Sequence, residues 1–251
     1  MKTLGRGRIV LWEGASLWLM EAVPAAGPTP NKTDFHAHHA IQVTLSLGGR
    51  FTLRTAKAAI DGDAIVAPDA PHQFQAVGRA ALLFVEPESA AGRAILEAHL
   101  GKKALAKLPA GLLADLVRRL DTEAGDSALE AIGRALIARL AGAAKAAPCD
   151  ARVQRMMDHA TAHLGDAVTL PAAARAAGLS PSRARHLFVE QTGLPFRTWL
   201  LWLRINRAVG LFSGGASLTE AAHEAGFSDS AHFSRTFRRM FGLPAAALKL
   251  I

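Results

Sequence analysis

Residues 218–244 read LTEAAHEAGFSDSAHFSRTFRRMFGLP, and this stretch decides the fold of the carboxyl-terminal part of the chain. A short segment of helical character ends at Gly226, a residue suited to the positive φ of a helix C-cap. Phe227 follows at the corner, and Ser228 or Asp229 can cap the helix that comes next. Two helices joined by so tight a turn are typical of a helix-turn-helix.

The same pattern occurs once before in the chain. Residues 170–180 read LPAAARAAGLS and residues 218–228 read LTEAAHEAGFS, so both follow L-x3-A-x2-A-G-[LF]-S at an offset of 48 residues. In the first copy Ser180 can cap the second helix, with Pro181 at its first position. This internal repeat predicts two helix-turn-helix units, over about residues 170–190 and 218–241.

The residues between the two copies predict one long helix. Trp199, Leu200, Leu203, Ala208 and Leu211 are spaced for one apolar side of a helix over about residues 196–212. A helix of about sixteen residues spans roughly 24 Å. We therefore expect it to hold the second helices of the two units about one DNA turn, roughly 34 Å, apart.

The second helix of each unit divides into an inner and an outer face. Ala184, Leu187 and Phe188 have the spacing of an inner face in the first unit, and Phe233 and Phe237 in the second. The polar residues left on the outer faces are Ser182, Arg183, Arg185 and His186, and then Ser230, His232, Ser234, Arg235, Arg238 and Arg239. Arginine can bind guanine edges bidentately and also binds phosphates, so these faces are suited to DNA.

The charge of the chain supports this assignment. Of 29 Lys and Arg residues, 12 lie in residues 151–251 against 6 acidic residues, whereas residues 1–150 hold 17 against 15. The excess of positive charge therefore lies in the part that contains the repeat, as expected of a nucleic-acid-binding half. No apolar run is long enough to cross a membrane, and one cysteine excludes an internal disulfide framework.

These motifs resemble a known family. Residues 151–251 resemble the DNA-binding domain of the AraC/XylS family of bacterial transcription regulators, through LSPSRARHLF, GLPFRTWL, LRINRAVGLF and above all EAGFSDSAHFSRTFRRMFGLP. The resemblance implies two helix-turn-helix subdomains joined by a linker helix. It implies base contacts from Ser182, Arg183, Arg185, His186, Ser230, Ala231, Ser234 and Arg235, and we add Arg238 and Arg239 to the DNA-binding set. Residues 247–249, Ala-Leu-Lys, depart from the family, which usually has an aromatic residue and an arginine there.

The amino-terminal part has a different periodicity. Residues 41–47, IQVTLSL, alternate with period two, and short strand-like runs separated by turns continue to about residue 90. This pattern predicts a mainly-β domain over residues 1–90, a jelly-roll or cupin-like barrel. Residues 91–140 then carry two apolar stripes of helical period and form a helical extension, followed by a linker over residues 141–150.

A histidine-rich segment stands before the first alternating strand. FHAHHAIQ, residues 35–42, resembles the first motif of the cupin superfamily, in which two histidines and a glutamate coordinate a metal ion. His36 and His38 keep that spacing, Gln42 replaces the glutamate, and His72 lies near the place of a further ligand. We expect these four residues to contact an effector. Because Gln is a poor substitute for Glu as a ligand, we expect no bound metal and no cofactor, with His36, His38 and His72 as the candidates if one is present.

Together these features predict a two-domain transcription regulator that binds specific double-stranded DNA sequences under the control of a small-molecule effector. The alternatives are a metal-dependent cupin enzyme tethered to DNA and an architectural DNA-binding protein without effector control. We favour a regulator that is not an enzyme, in the bacterial cytoplasm and not in a membrane. RNA polymerase and a second copy of the chain, paired through residues 91–140, remain open as partners.

Overall fold

The structure, a computed structural model, describes residues 5–22, 31–123, 125–143 and 149–250. The chain divides into two compact units. The first comprises Met1–Ala146 and Phe237–Ile251, and the second comprises Ala147–Thr236. Residues 144–148, half of the expected linker, lie outside the described residues.

Within the described residues, the first unit is built on a sheet of ten strands. The strands are β1 (Gly5–Trp12), β2 (Ala15–Ala22), β3 (Asn31–Lys32), β4 (Ile41–Ser46), β5 (Arg50–Arg54), β6 (Ala59–Asp61), β7 (Ala64–Val66), β8 (Gln73–Val85), β9 (Leu105–Lys107) and β10 (Leu248–Leu250). Their main order is β10-β1-β2-β8-β4-β7-β9, and β3 and β5 also pair with β8. β10 pairs with β1 in parallel, and the other pairs are antiparallel.

The long strand β8 connects two groups of strands. Residues 78–85 pair with β2 and β4, and residues 73–77 pair with β3 and β5. The change falls at Gly78, which has a φ of 85°. Because a positive φ is easy for glycine and strained for other residues, Gly78 allows β8 to turn from one group of strands to the other.

Helices cover the core of this unit. They are α1 (Ala90–Ile95), continued by a π-helical turn over Leu96–Leu100, then α2 (Ala114–Thr122) and α3 (Asp126–Ala141). Inward side chains of β2, β4, β7 and β8 form one buried cluster with the apolar stripes of α2 and α3. The segment that we expected to be purely helical also contains β9, which pairs with β7 because Leu105 and Ala106 are buried in that position.

The second unit is helical. Its helices are α4 (Ala151–Ala162), α5 (Leu170–Ala176), α6 (Pro181–Thr192), α7 (Phe196–Ser213), α8 (Leu218–Glu224) and most of α9 (Ser230–Phe241). The predicted division into a sheet-rich amino-terminal part and a helical carboxyl-terminal part is confirmed. The sequence predicts one domain over residues 151–251, whereas the structure groups residues 237–251 with the first unit, where β10 extends the sheet. None of the described helices is both long and apolar enough to span a membrane.

Candidate DNA interface and ligand cavity

Both predicted corners have the same backbone geometry. Gly178 and Gly226 have φ values of 68° and 81° at the ends of α5 and α8. The N–H of Leu179 donates to the carbonyl oxygen of Ala174 at 2.8 Å. The corresponding bond from Phe227 to the carbonyl oxygen of Ala222 is 3.0 Å long. This is the Schellman arrangement, so the same local chemistry closes both helix-turn-helix corners.

The helix α6 separates its faces as predicted. Ser180 caps it by accepting a hydrogen bond from the N–H of Arg183. Ala184, Leu187 and Phe188 are buried. The residues of the outer face, all exposed, are Ser182, Arg183, Arg185 and His186. His186 donates from Nδ1 to the carbonyl oxygen of Ser182 at 2.9 Å, which leaves its Nε2 for an outside partner.

The second helix α9 shows the same division. Phe233 and Phe237 are buried, and Asp229 acts as the cap by accepting a hydrogen bond from the N–H of His232 at 2.6 Å. Of the two caps left open by the sequence, the structure selects Asp229, and Ser228 donates to its carboxylate. The predicted contact residues comprise the exposed Ala231, Arg235, Arg238 and Arg239 and the half-buried Ser230 and Ser234.

The arginines of these two faces differ in their partners. Within the described residues, Arg183, Arg185, Arg235 and Arg239 form no ion pair. Arg238 instead donates from Nε and from a terminal nitrogen to one carboxylate oxygen of Asp34, at 3.0 and 2.8 Å, and both residues belong to the first unit. Four guanidinium groups therefore remain for an external anion, and the fifth has an internal partner.

The linker helix is confirmed as one continuous element. α7 has 18 residues, which corresponds to about 27 Å. Trp199, Leu200 and Ala208 are buried as predicted, whereas Leu203 and Leu211 are half-buried. Trp202 is also buried, although the sequence analysis did not assign it to the inner face.

The first unit contains a cavity of about 100 Å³. Its walls are mostly apolar and include Trp18, Leu82, Phe84 and Phe74. Its other lining residues include Lys32, Thr33, His36, Gln42, Phe241 and Leu243. His36 and Gln42 were predicted from the sequence as contacts of a small molecule. Lys32, which precedes the histidine motif, was not predicted, and Phe241 and Leu243 lie too far along the chain to share a local pattern with that motif.

The structure brings His36, His38, His72 and Gln42 together. The candidate ligand atoms of the three histidines all lie within 4.8 Å of one another, and all four side chains are buried. The Oε1 atom of Gln42 lies 2.9 Å from Nε2 of His38 and 3.2 Å from Nε2 of His72. Of these four residues, His36 and Gln42 reach the cavity, and His38 and His72 do not line it.

The surroundings keep these histidines neutral. Burial lowers the pKa of His36 to about 4, helped by the charge that His72 would carry. Burial also lowers the pKa of His38 and of His72. His36 and His72 donate from Nδ1 to the carbonyl oxygens of Asp34 and Ala70, each at 2.9 Å. A neutral ring that donates from Nδ1 has its lone pair on Nε2.

A second polar cluster was missed by the sequence analysis. His39 lies between the carboxylates of Asp69 and Glu88, at 3.2 and 3.1 Å. Burial would lower the pKa of His39, but the hydrogen bonds to Asp69 and Glu88 and the charge of both carboxylates raise it to about 9. His39 is therefore an imidazolium that neutralises the buried Glu88. His39 belongs to the same histidine-rich segment as His36 and His38, and this is the one sequence feature that points to it. Its acidic partners lie 30 and 49 residues away in the sequence.

Known proteins match this chain most clearly in its carboxyl-terminal part. Residues 173–249 match the family model of a helix-turn-helix domain. The arabinose operon regulatory protein of Escherichia coli strain K12 is 33% identical over 97 residues, which are 38% of this chain and 33% of that protein. The transcriptional activator RhaS of Escherichia coli strain SE11 is 40% identical over 80 residues, which are 32% of this chain and 29% of that protein. The chain therefore matches about a third of the length of these curated relatives.

A solved structure covers almost the whole chain. ToxT from Vibrio cholerae O395 is similar with a TM-score of 0.59 over 92% of this chain and 95% of that chain, at 10% sequence identity. At this identity the likeness concerns the fold. A strand-rich part followed by a helical part is thus an arrangement that a known protein shares.

Proposed function

We propose, on the premise that the carboxyl-terminal part of this chain is a helix-turn-helix domain of the AraC type, that the protein is a sequence-specific DNA-binding transcription regulator. The observation that carries the proposal is the pair of identically closed corners, each followed by a helix with arginines on its outer face. Two such helices provide two sets of side chains for base edges and phosphates. The relatives that match these residues are named as transcription regulators, not as enzymes.

The proposed DNA contacts divide by position along each helix. Residues near the amino terminus of a recognition helix are best placed for base edges, which assigns Ser182, Arg183, Arg185 and His186 in α6. The corresponding residues of α9 are Ser230, Ala231, Ser234 and Arg235. Arg238 and Arg239 lie near the end of α9, a position better suited to phosphates.

The sensor role falls to the first unit. We propose a cupin-like barrel over residues 1–90, with β9 of the extension over 91–140 adding to its sheet, a linker over 141–150 and the DNA-binding domain over 151–251. The cavity favours an effector with an apolar body and a polar group, because its mostly apolar walls surround a polar edge that includes His36, Gln42 and Lys32. Phe241, the last residue of α9, lines this cavity, so an effector there would contact a helix that also carries proposed DNA contacts.

Further partners follow from this role. A regulator of transcription acts where the bacterial DNA is, so we place the protein in the cytoplasm, with RNA polymerase as a second partner. We also propose a second copy of the chain as a partner, paired through residues 91–140. Because the apolar stripes of α2 and α3 are buried within the first unit, this pairing would use the outer faces of the two helices. A symmetric dimer matches repeated half-sites on DNA.

The test is selection of bound sequences from a random duplex pool by the full-length protein. We expect an enriched site with two short blocks about one helical turn apart. A double variant with Arg185→Ala and Arg235→Ala should enrich neither block, whereas Arg118→Ala, at an exposed arginine of α2, is the matched control and should enrich both. Retention of DNA without any preferred sequence would support the alternative of an architectural DNA-binding protein. If the protein retained no DNA, the proposal would be contradicted.

A further inference from the structure

The buried group of His36, His38, His72 and Gln42 is not explained by packing alone. Its ring centroids lie 4.3 Å apart for His36 and His72, 5.1 Å for His38 and His72, and 5.9 Å for His36 and His38. His72 is 0% exposed and His38 is 2% exposed. Polar groups at such depth normally have complementary hydrogen-bond partners. Here the polar atoms converge on one another.

The protonation of the rings creates a specific conflict at the centre. His72 donates from Nδ1 to the Ala70 carbonyl oxygen, so the neutral ring has a lone pair on Nε2. That lone pair faces Oε1 of Gln42 at 3.2 Å, and Gln42 donates from its amide nitrogen to Thr44 at 2.9 Å. Two acceptors therefore face each other. A cation between them, or a reversed amide, resolves the conflict.

We propose that His36, His38, His72 and Oε1 of Gln42 form a binding site for a divalent first-row transition-metal ion such as Zn²⁺ or Co²⁺. This inference concerns a site within the first unit and does not depend on DNA binding. It reverses the expectation of no metal, which rested on the identity of residue 42 without knowledge of where the ring lone pairs point.

Three properties of the site fit such an ion. Imidazole nitrogens suit zinc, cobalt and nickel, whereas calcium and magnesium prefer sets made of oxygen alone. Main-chain carbonyl oxygens that fix the Nδ1 protons of His36 and His72 are the usual outer support of histidine ligands. The separations of 2.9 and 3.2 Å from Oε1 of Gln42 are near the roughly 3.3 Å between neighbouring ligands in a tetrahedral zinc site.

The glutamine gives the site a further property. A glutamate at position 42, which is 1% exposed, would bury a negative charge whenever the ion is absent. Gln42 is neutral, and after a half-turn of its amide group the nitrogen can donate to Nε2 of His72 while the oxygen accepts from the Thr44 hydroxyl. The site can thus exist with and without the ion, which suits reversible binding.

The free side of the site faces the cavity. His36 and Gln42 line the cavity, and all four proposed ligands are neutral. A bound ion would keep its full charge, so it would attract an anionic oxygen, such as that of a carboxylate, from the cavity side. The ligand class that such an occupied site would take is therefore a small molecule with an apolar body and an acid group.

The test is titration of tag-free, chelator-treated full-length protein with Co²⁺, followed by visible ligand-field absorption and competition with Zn²⁺. We expect one ion per chain. His72→Ala should abolish the absorption, whereas His163→Ala is the matched control, because His163 is exposed and its ring contacts the ring of His159 outside the cluster. Gln42→Glu should bind Co²⁺ at least about tenfold more tightly, since it adds a negative ligand.

Circular dichroism and thermal unfolding establish whether His72→Ala remains folded. If it does not, the comparison rests on Gln42→Glu and on Gln42→Leu, which should bind about ten- to a hundredfold more weakly than the wild type. Absence of stoichiometric binding by the wild type, or equal binding by the wild type and the Gln42 variants, would overturn the proposal.

Discussion

Arg238 donates two hydrogen bonds to a single carboxylate oxygen of Asp34, 204 residues away in the sequence. Both side chains are 61% exposed, so the pair lies in water and contributes little to stability. Its importance is for function. Arg238 follows the proposed base-reading residues of α9 by one helical turn. Its hydrogen bonds to Asp34 engage a guanidinium group that could otherwise bind a DNA phosphate.

Asp34→Asn should strengthen DNA binding. The substitution keeps the shape of the side chain but removes its charge, so Arg238 becomes available to a phosphate. We expect the affinity to rise by a factor of up to about five, in line with the value of an exposed ion pair, and the plot of log affinity against log salt to steepen by about one. Fluorescence anisotropy with the selected duplex over a range of salt concentrations measures both quantities.

Glu123→Gln is the control for Asp34→Asn, because Glu123 is exposed and the substitution changes the net charge equally. An equal gain in both variants would mean that overall charge, and not Arg238, is responsible.

Arg185→Ala and Arg235→Ala should each weaken binding to the selected site by about 1–3 kcal/mol and relax the preference in one block of the site. The reason is that each removes a donor without an internal ion-pair partner from the outer face of a recognition helix. Arg118→Ala, which removes an exposed arginine of α2, should leave the base preference unchanged. Repeating the sequence selection with each variant gives the result, and unchanged preferences in both would refute the assignment of α6 and α9.

Gly226→Ala should destabilise the protein more than Gly178→Ala. Both substitutions place a side chain at positive φ, which costs roughly 1–2 kcal/mol. At Gly178 the added methyl group meets open space, whereas at Gly226 it would lie 3.0 Å from the carbonyl oxygen of Leu164 and 3.1 Å from Nε of Arg204. Urea unfolding of the two variants makes the comparison. Equal losses would show that the neighbours of Gly226 yield without cost.

Glu86→Gln should flatten the pH dependence of stability. Burial above all, joined by the charges of Glu88 and Glu13 and opposed by the charge of His39, raises the pKa of Glu86 from 4.5 to about 7. The pKa of Glu86 is higher in the folded protein than in the unfolded chain. The contribution of Glu86 to the free energy of unfolding is therefore complete below pH 4.5 and is lost as the pH rises through about 7.

Glutamine stays neutral at every pH, so we expect the Glu86→Gln variant to exceed the wild type by about 1–3 kcal/mol at about pH 8 and to match it at about pH 4. Urea unfolding at both pH values measures the difference. Glu123→Gln again serves as the control, and a wild-type stability that does not fall between the two values would contradict the role of Glu86.

The sequence by itself determined the helical part of this protein. The two repeats, the glycines at their corners, the cap at Ser180, the linker helix and the outer faces of α6 and α9 were all predicted, and the AraC/XylS resemblance is confirmed by the relatives. These features follow from caps, positive φ and helical period, which act between residues at most a few positions apart. Composition and period also sufficed to separate a strand-rich part from a helical part.

Only the tertiary structure decided what meets across long distances in the chain. It paired Arg238 with Asp34, placed Phe241 in the wall of the cavity, and enclosed His39 between Asp69 and Glu88. The spacing of His36 and His38 suggested a site, but the direction of the lone pairs of His36 and His72 depends on the main-chain carbonyl oxygens that accept from their Nδ1 atoms. Side-chain orientation and protonation are set by packing and burial, which a linear pattern does not contain.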